Sequence, residues 1–219
     1  METRKPDSTI DWLLRSALLM LIPATVLFIN TAAPIDEAKW TIIQLGAPVI
    51  TAIWMVRAAA LGRPMLPTDP LSIAMYLGLA SMALSLIPAI NTFMGYIDIS
   101  RRFSVVCLFV MLASAMRARH DRLDALWVLM GTAFLGSAYG IAQHFGYDFF
   151  PWADHKYSPP ERGVSFYGHA TFAGSFLAIT IPVAAGMAMA VDRPWQRVAA
   201  LITFAATLYH LSFSGARRA

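Results

Sequence analysis

Long apolar runs alternate with short polar or charged segments along the whole chain. The runs cover residues 12–30, 38–56, 71–90, 103–116, 125–145, 170–191 and 198–213. A helix needs about 20 apolar residues to cross the hydrocarbon layer of a membrane, and most of these runs approach that length. The pattern predicts an all-α fold, a polytopic transmembrane helix bundle of about seven spans. The fourth run is short unless residues 96–102 supply its first turns. Trp12, Trp40, Trp54, Trp127 and Trp195 fall near the proposed span ends, as interfacial anchors do. Pro23, Pro48 and Pro182 lie inside runs and are expected to bend their helices. Gly136 and Gly140, four residues apart, mark a face for close helix packing.

The first run ends in small residues, "NTAA", like the cleavage site of a signal peptide. Pro34 follows at once and the run is long enough to span, so an uncleaved first helix is expected. No fixed-period repeat or low-complexity tract interrupts the pattern. A single transmembrane domain over 1–219 is the expected organisation. Its longest loop, 146–168, is rich in aromatics.

Composition supports the membrane class. Hydrophobic residues make up 58% and charged residues 14% of the chain, against about 25% charged in soluble domains. The formal net charge of +4 is scattered between apolar runs, which fits loops on anionic lipid better than a nucleic-acid groove. The single cysteine, Cys107, lies within an apolar run and has no partner for an intramolecular disulfide. Clustered Cys/His ligands and Gly-rich phosphate loops are absent from the sequence, so neither a metal nor a cofactor is expected.

Orientation follows from the positive residues. With the N-terminus inside, Arg4, Lys5, Arg57, Arg63, Arg117, Arg119, Arg122, Arg193 and Arg197 fall on the inner side. Lys39, Arg101, Arg102, Lys156, Arg162, Arg217 and Arg218 fall on the outer side. The excess favours a cytoplasmic N-terminus. The adjacent pairs Arg101–Arg102 and Arg217–Arg218 abut spans on the face where arginine is disfavoured, and either an anion on that face or stop-transfer-like flanking charge would explain them.

Polar chemistry concentrates where the 146–168 loop turns into the sixth run, "SPPERGVSFYGHATFAG". Tyr147, Phe149, Phe150, Trp152 and Tyr157 of the loop suit the headgroup layer or stacking on sugar rings. Arg162 can pair with phosphate or snorkel to the interface, and His169 can move a proton or serve as a structural hydrogen bonder. His144 and His210, near span ends, are expected to hydrogen-bond within the bundle. His120 is expected in a solvated charge run, and Arg15 is expected to snorkel to the inner headgroups. His155, beside Asp154, is a weaker substrate-binding candidate.

The passage "RGVSFYGHATFAGSFLAITIPVA", followed by a span ending "LYHLSFSGARRA", resembles the O-antigen ligase and polymerase superfamily of bacterial inner membranes. Arg162, Ser165, Phe166, Gly168 and His169 fall on that family's first motif. Ser214, Gly215, Arg217 and Ala219 fall on its second. The chain departs from the pattern where an Asn-Pro-Asn-like element reads His169, Ala170, Thr171, and where Ala216 stands in place of a serine. About thirty residues carry the motifs; the rest of the likeness is hydropathy layout.

The resemblance implies transfer of a glycan from an undecaprenyl-diphosphate carrier to an acceptor hydroxyl at the periplasmic face. Lipid A-core, another glycan or a protein would supply that hydroxyl. It implies metal-independent catalysis, with Arg162, Arg217, Arg101 and Arg102 as diphosphate contacts and Ser165, Gly168 and His169 lining the site. Family members are longer, so the resemblance also implies that this chain is an N-terminal portion and that the general base belongs to a later loop. The contrasting expectation is a non-enzymatic polytopic protein, such as a transporter of lipid-linked glycans or small solutes. Such a protein should carry ionisable groups deep in its spans or broken helices in repeated halves; here the charges sit near span ends and no inverted repeat is visible.

Overall fold

The computed structural model describes residues 9–29, 35–62, 66–88, 90–150 and 165–214. All the regular structure there is helical, as expected. The helices are α1 (Thr9–Val26), α2 (Ile35–Ala60), α3 (Pro70–Ser85), α4 (Thr92–Ala115), α5 (Arg119–His144), α6 (Ala170–Ala190) and α7 (Pro194–Phe213). A short 3-10 turn, Ser165–Tyr167, precedes α6. Each apolar run thus became a helix, and α1, α2 and α6 continue through Pro23, Pro48 and Pro182.

Span length separates these helices. Among the described residues, four are long and apolar enough to cross a membrane: Thr9–Val26, Glu37–Ala60, Arg119–His144 and Ala170–Ala190. This is a membrane protein by that measure, with fewer qualifying spans than the seven read from the runs. The 16 residues of α3 extend about 24 Å at 1.5 Å per residue, short of the ~30 Å hydrocarbon layer. Asp98, Arg101 and Arg102 lie inside α4 and dilute its apolar character. Arg197 and Gln196 occupy the first turn of α7.

The start of α4 differs most from its apolar run. Asn91 caps it, its side chain accepting from the Met94 backbone N–H at 3.2 Å, and satisfies a donor that a helix start otherwise leaves unpaired. The helix therefore begins at Thr92, well before the run at 103. Arg101 and Arg102 consequently sit within a helix rather than at its mouth. Asp69 does the same for α3, accepting from the Leu71 and Ser72 N–H groups at 3.1 Å, with Pro70 in the first turn.

The chain divides into two compact units. One comprises Met1–Leu21 and Trp40–Arg122, the other Ile22–Lys39 and Leu123–Ala219. In the first, polar links tie the helices. Arg57 of α2 pairs with Asp11 of α1. Arg15 of α1 pairs with Asp121 at 2.8 Å, where Asp121 is only 4% exposed. Arg15 was expected to reach the headgroups, but a buried carboxylate one helix away offers a stronger partner. His120 is exposed, as expected of a solvated charge run, and also reaches Asp121, at 3.1 Å. Trp54 donates to Ser114 Oγ at 2.9 Å, joining α2 to α4.

The second unit is built on α5, α6 and α7. Near the N-terminal half of α5, Met130 packs with Ala184, Met187, Ala188 and Val191 of the α6 end and Ala200 of α7. Trp127 stacks on Trp195 there, ring centroids 6.3 Å apart. The opposite end of the same three helices is polar, and it holds the first motif.

Candidate functional site

The site begins at the C-terminus of α5. Gly146 has a φ of 86°, a left-handed conformation that glycine adopts without steric cost. The Tyr147 N–H bonds back to the Ala142 carbonyl and the Gly146 N–H to the Gln143 carbonyl, each at 2.9 Å. This Schellman arrangement satisfies the last helical carbonyls and reverses the chain. It turns Asp148 back onto the helix it has just left. The Asp148 carboxylate accepts from the Tyr139 hydroxyl at 2.5 Å and from Gln143 Nε2 at 3.3 Å.

Gln143 passes the connection on. Its Oε1 accepts the backbone N–H of Ser165 at 2.6 Å. Ser165 is fully buried and stands at a φ of 56°, unusual for a residue with a side chain. Its hydroxyl donates to the carbonyl of Gly136. The backbone N–H and the hydroxyl of this strained residue are therefore both spent on α5. The ring of the next residue, Phe166, stacks on Tyr139 with centroids 4.6 Å apart. The turn is pinned by a polar chain and an aromatic contact together.

Tyr167 enters deepest, at 5% exposure. It fits because Gly136 has no side chain: a Cβ there would lie 2.5 Å from the Tyr167 hydroxyl oxygen. That hydroxyl is buried without a hydrogen-bond partner. Burial pushes the phenol well above its ordinary range and keeps it neutral. The Tyr167 ring lies 5.3 Å from that of Phe176 and 6.1 Å from the His210 imidazole. Lys39 Nζ stands 5.8 Å above its centroid.

Gly168, at a φ of 73°, leads to His169, which is exposed and caps α6. His169 Nδ1 accepts from the Thr171 N–H at 3.2 Å. That bond needs a lone pair on Nδ1, so the ring proton of the neutral form sits on Nε2. His169 is thus the N-cap of α6, with its Nδ1 lone pair occupied by the Thr171 N–H.

The end of α7 meets the same end of α5. His210 is fully buried with Nδ1 3.3 Å from Ser137 Oγ, as expected of a histidine that bonds within the bundle. Phe213 stacks on His144 at 4.1 Å. Ser214 caps α7, fully buried. Gly136 and Gly140 do form a close-packed face: the first admits Tyr167 and the second admits His210.

Of the residues singled out from the sequence, Ser165, Gly168 and His169 come together on one turn. Arg162 and Arg217, with Gly215 and Ala219 of the second motif and His155 of the loop, lie outside the described residues. Arg101 and Arg102 belong to the other unit. There the Arg101 guanidinium lies 5.4 Å over Trp40 with its Nε buried and without a hydrogen-bond partner, and Arg102 is exposed. Gln143, Asp148 and Tyr139 carry no signal in the sequence, and Lys39 is there only one more outer charge. Among the described residues no group of three or more His, Cys, Asp or Glu side chains could hold a metal ion. No protein-family model matches the chain, nor does any curated protein or solved structure.

Proposed function

We propose that the chain is a membrane glycosyltransferase of the O-antigen ligase or polymerase type, acting at the periplasmic face of the bacterial inner membrane. Its donor is a glycan on undecaprenyl diphosphate, and its acceptor a hydroxyl of lipid A-core, another glycan or a protein. The N-terminus is cytoplasmic and all seven helices cross, α3 by local thinning of the bilayer.

One observation carries the reading: Ser165 and Ser214, the described ends of the two motif segments, share one end of α5, α6 and α7. Ser165 does so through Gly136 and Gln143; Ser214 follows His210 and Phe213, which pack on Gly140 and His144. Arg162 and Arg217 are tethered three residues from these serines, at most about 11 Å of chain. A diphosphate leaving group needs cationic donors set before charge develops, because donors fixed in advance cost no reorganisation in the transition state. In the reaction the bond from the sugar's anomeric carbon to the phosphate oxygen breaks. The acceptor oxygen bonds to that carbon, its proton goes to a base, and undecaprenyl diphosphate departs with its charge on the arginines.

The test is glycan transfer by protein expressed from its full reading frame. Arg162→Ala and Arg217→Ala should each reduce transfer at least a hundredfold while membrane insertion persists. Normal transfer by a well-inserted Arg162→Ala variant removes the role.

A further inference from the structure

Four helix ends of the first unit meet at one corner. Trp54 of α2 donates to Ser114 of α4 at 2.9 Å, and Arg57 and Arg117 each follow three residues later. The start of α1 joins the same end, through Asp11 to Arg57 and through Arg15 to Asp121 at the start of α5. An indole that keeps a polar bond near the end of a span marks the boundary between lipid and water. The corner therefore sits at headgroup depth.

The acids of this corner are already engaged. Asp11 holds Arg57, and buried Asp121 holds Arg15, with His120 on the same oxygen. Arg117, Arg119 and Arg122 are exposed, and among the described residues none of them has a carboxylate partner. Asp124, exposed further along α5, pairs with none of the three. The Arg122 side chain instead reaches back across the turn, its Nη1 donating to the Arg117 carbonyl at 3.0 Å. That bond holds its charge beside the end of α4. Three uncompensated guanidiniums are thus gathered within six residues, and like charges so gathered repel unless an anion lies among them.

The surroundings choose the anion. Met55 and Val56, which follow Trp54, and Leu61 beyond the end of α2 are all exposed, so the charged turn adjoins apolar surface in a chain that spans a membrane. An amphiphile with a phosphate head and acyl chains satisfies both; a soluble anion satisfies only the first. We infer that Arg117, Arg119 and Arg122 at the α4–α5 turn form a binding site for the headgroup of an anionic phospholipid. The planar guanidinium fork pairs bidentately with phosphate oxygens, and the two phosphates of a cardiolipin headgroup suit three such forks better than one phosphate does. The site needs only a membrane and is independent of the proposed glycosyl transfer. In the orientation proposed above, the lipid belongs to the cytoplasmic leaflet, whose anionic lipids attract basic segments next to spans.

The test is native mass spectrometry of the protein, stripped of phospholipid in maltoside micelles and titrated with cardiolipin. An arginine beside an anionic headgroup is worth about fivefold in affinity, so Arg117→Gln and Arg119→Gln should each weaken binding about fivefold, and the triple variant with Arg122→Gln about a hundredfold. Raised salt should narrow that gap. Phosphatidylcholine, whose headgroup is zwitterionic, should bind the parent and the triple variant alike. Arg193→Gln removes one exposed charge from the other unit and should leave cardiolipin affinity unchanged. Failure of the parent to bind cardiolipin overturns the inference, and so does unchanged binding by the triple variant. An equal loss in Arg193→Gln also overturns it, since binding would then follow net charge rather than a site. If the triple variant does not fold, the two single variants decide, because neither the Arg117 nor the Arg119 side chain makes a hydrogen bond among the described residues.

Discussion

Gly140 of α5 and the His210 imidazole of α7 compete for one packing position: a Cβ on Gly140 would overlap the ring. The imidazole is fully buried and held toward Ser137, so it cannot swing away. Gly140→Ala should therefore destabilise the protein by about 1–3 kcal/mol, the usual cost of overpacking. Gly131, on the same helix, meets nothing within 4 Å of an added Cβ, and Gly131→Ala should cost nothing. Thermal unfolding of both variants in one detergent measures the difference. Equal melting temperatures would refute the close approach.

Tyr167 carries an opposite expectation. Its hydroxyl is buried and unpartnered, so Tyr167→Phe removes a polar group that pays a desolvation cost for no bond. The variant should be as stable as the parent or more so. The phenol also sets a pH dependence. Because burial raises its folded-state pKa above the ordinary value of about 10, the folded state holds the proton more tightly than the unfolded state. The associated stability is complete below pH about 10 and is lost as pH rises through the higher folded value. Alkaline unfolding should therefore set in above pH about 10 and be blunted in Tyr167→Phe, as pH-dependent denaturation would record.

Removing the Gln143 amide strands the Ser165 N–H, which is buried in the turn. A buried donor left without an acceptor costs about 1–3 kcal/mol. Gln143→Leu should destabilise by that amount, and Ser165→Ala in the same background should add less than it does alone, since both act on one turn. A double-mutant cycle on unfolding free energies tests the coupling; strict additivity would break the proposed link.

Arg15 and Asp121 give a second cycle, in the other unit. Asp121→Asn removes the carboxylate charge of the Arg15–Asp121 pair and should destabilise by about 2–4 kcal/mol, because breaking a largely buried pair costs several times what a surface pair does. Replacing both, with Arg15→Met and Asp121→Leu, should restore most of that loss. Unfolding midpoints of the three proteins decide it.

The helices were legible because hydropathy is written locally, one run at a time. The caps escaped where the apolar run and the helix start at different places. Asn91 begins α4 well upstream of residue 103, and no count of apolar residues contains that. The span number was harder still, since it depends on length and on where charges such as Asp98 and Arg101 fall within a helix. For the candidate site, the 165–169 turn could be found from its glycine and its clustered polar residues. Gln143 and Asp148 could not, because each looks like an ordinary polar residue at a helix end until the chain folds back. Lys39 was visible only as one more outer charge. Its proximity to Tyr167 is a tertiary fact that no spacing in the sequence encodes.

The grouping of Ile22–Lys39 with Leu123–Ala219 sets a schedule for biogenesis. Lys39 leaves the ribosome long before Tyr167 is made, yet the ring of Tyr167 is one of the two groups that face its ammonium, with the Val26 carbonyl. Until Tyr167 is made, the Lys39 ammonium has the Val26 carbonyl of α1 but not the ring that faces it. Non-local closure of this kind is slow, because the loop entropy is lost before the contact returns anything. A chain arrested before Tyr167 would carry every residue of the first unit and still lack the ring that faces Lys39.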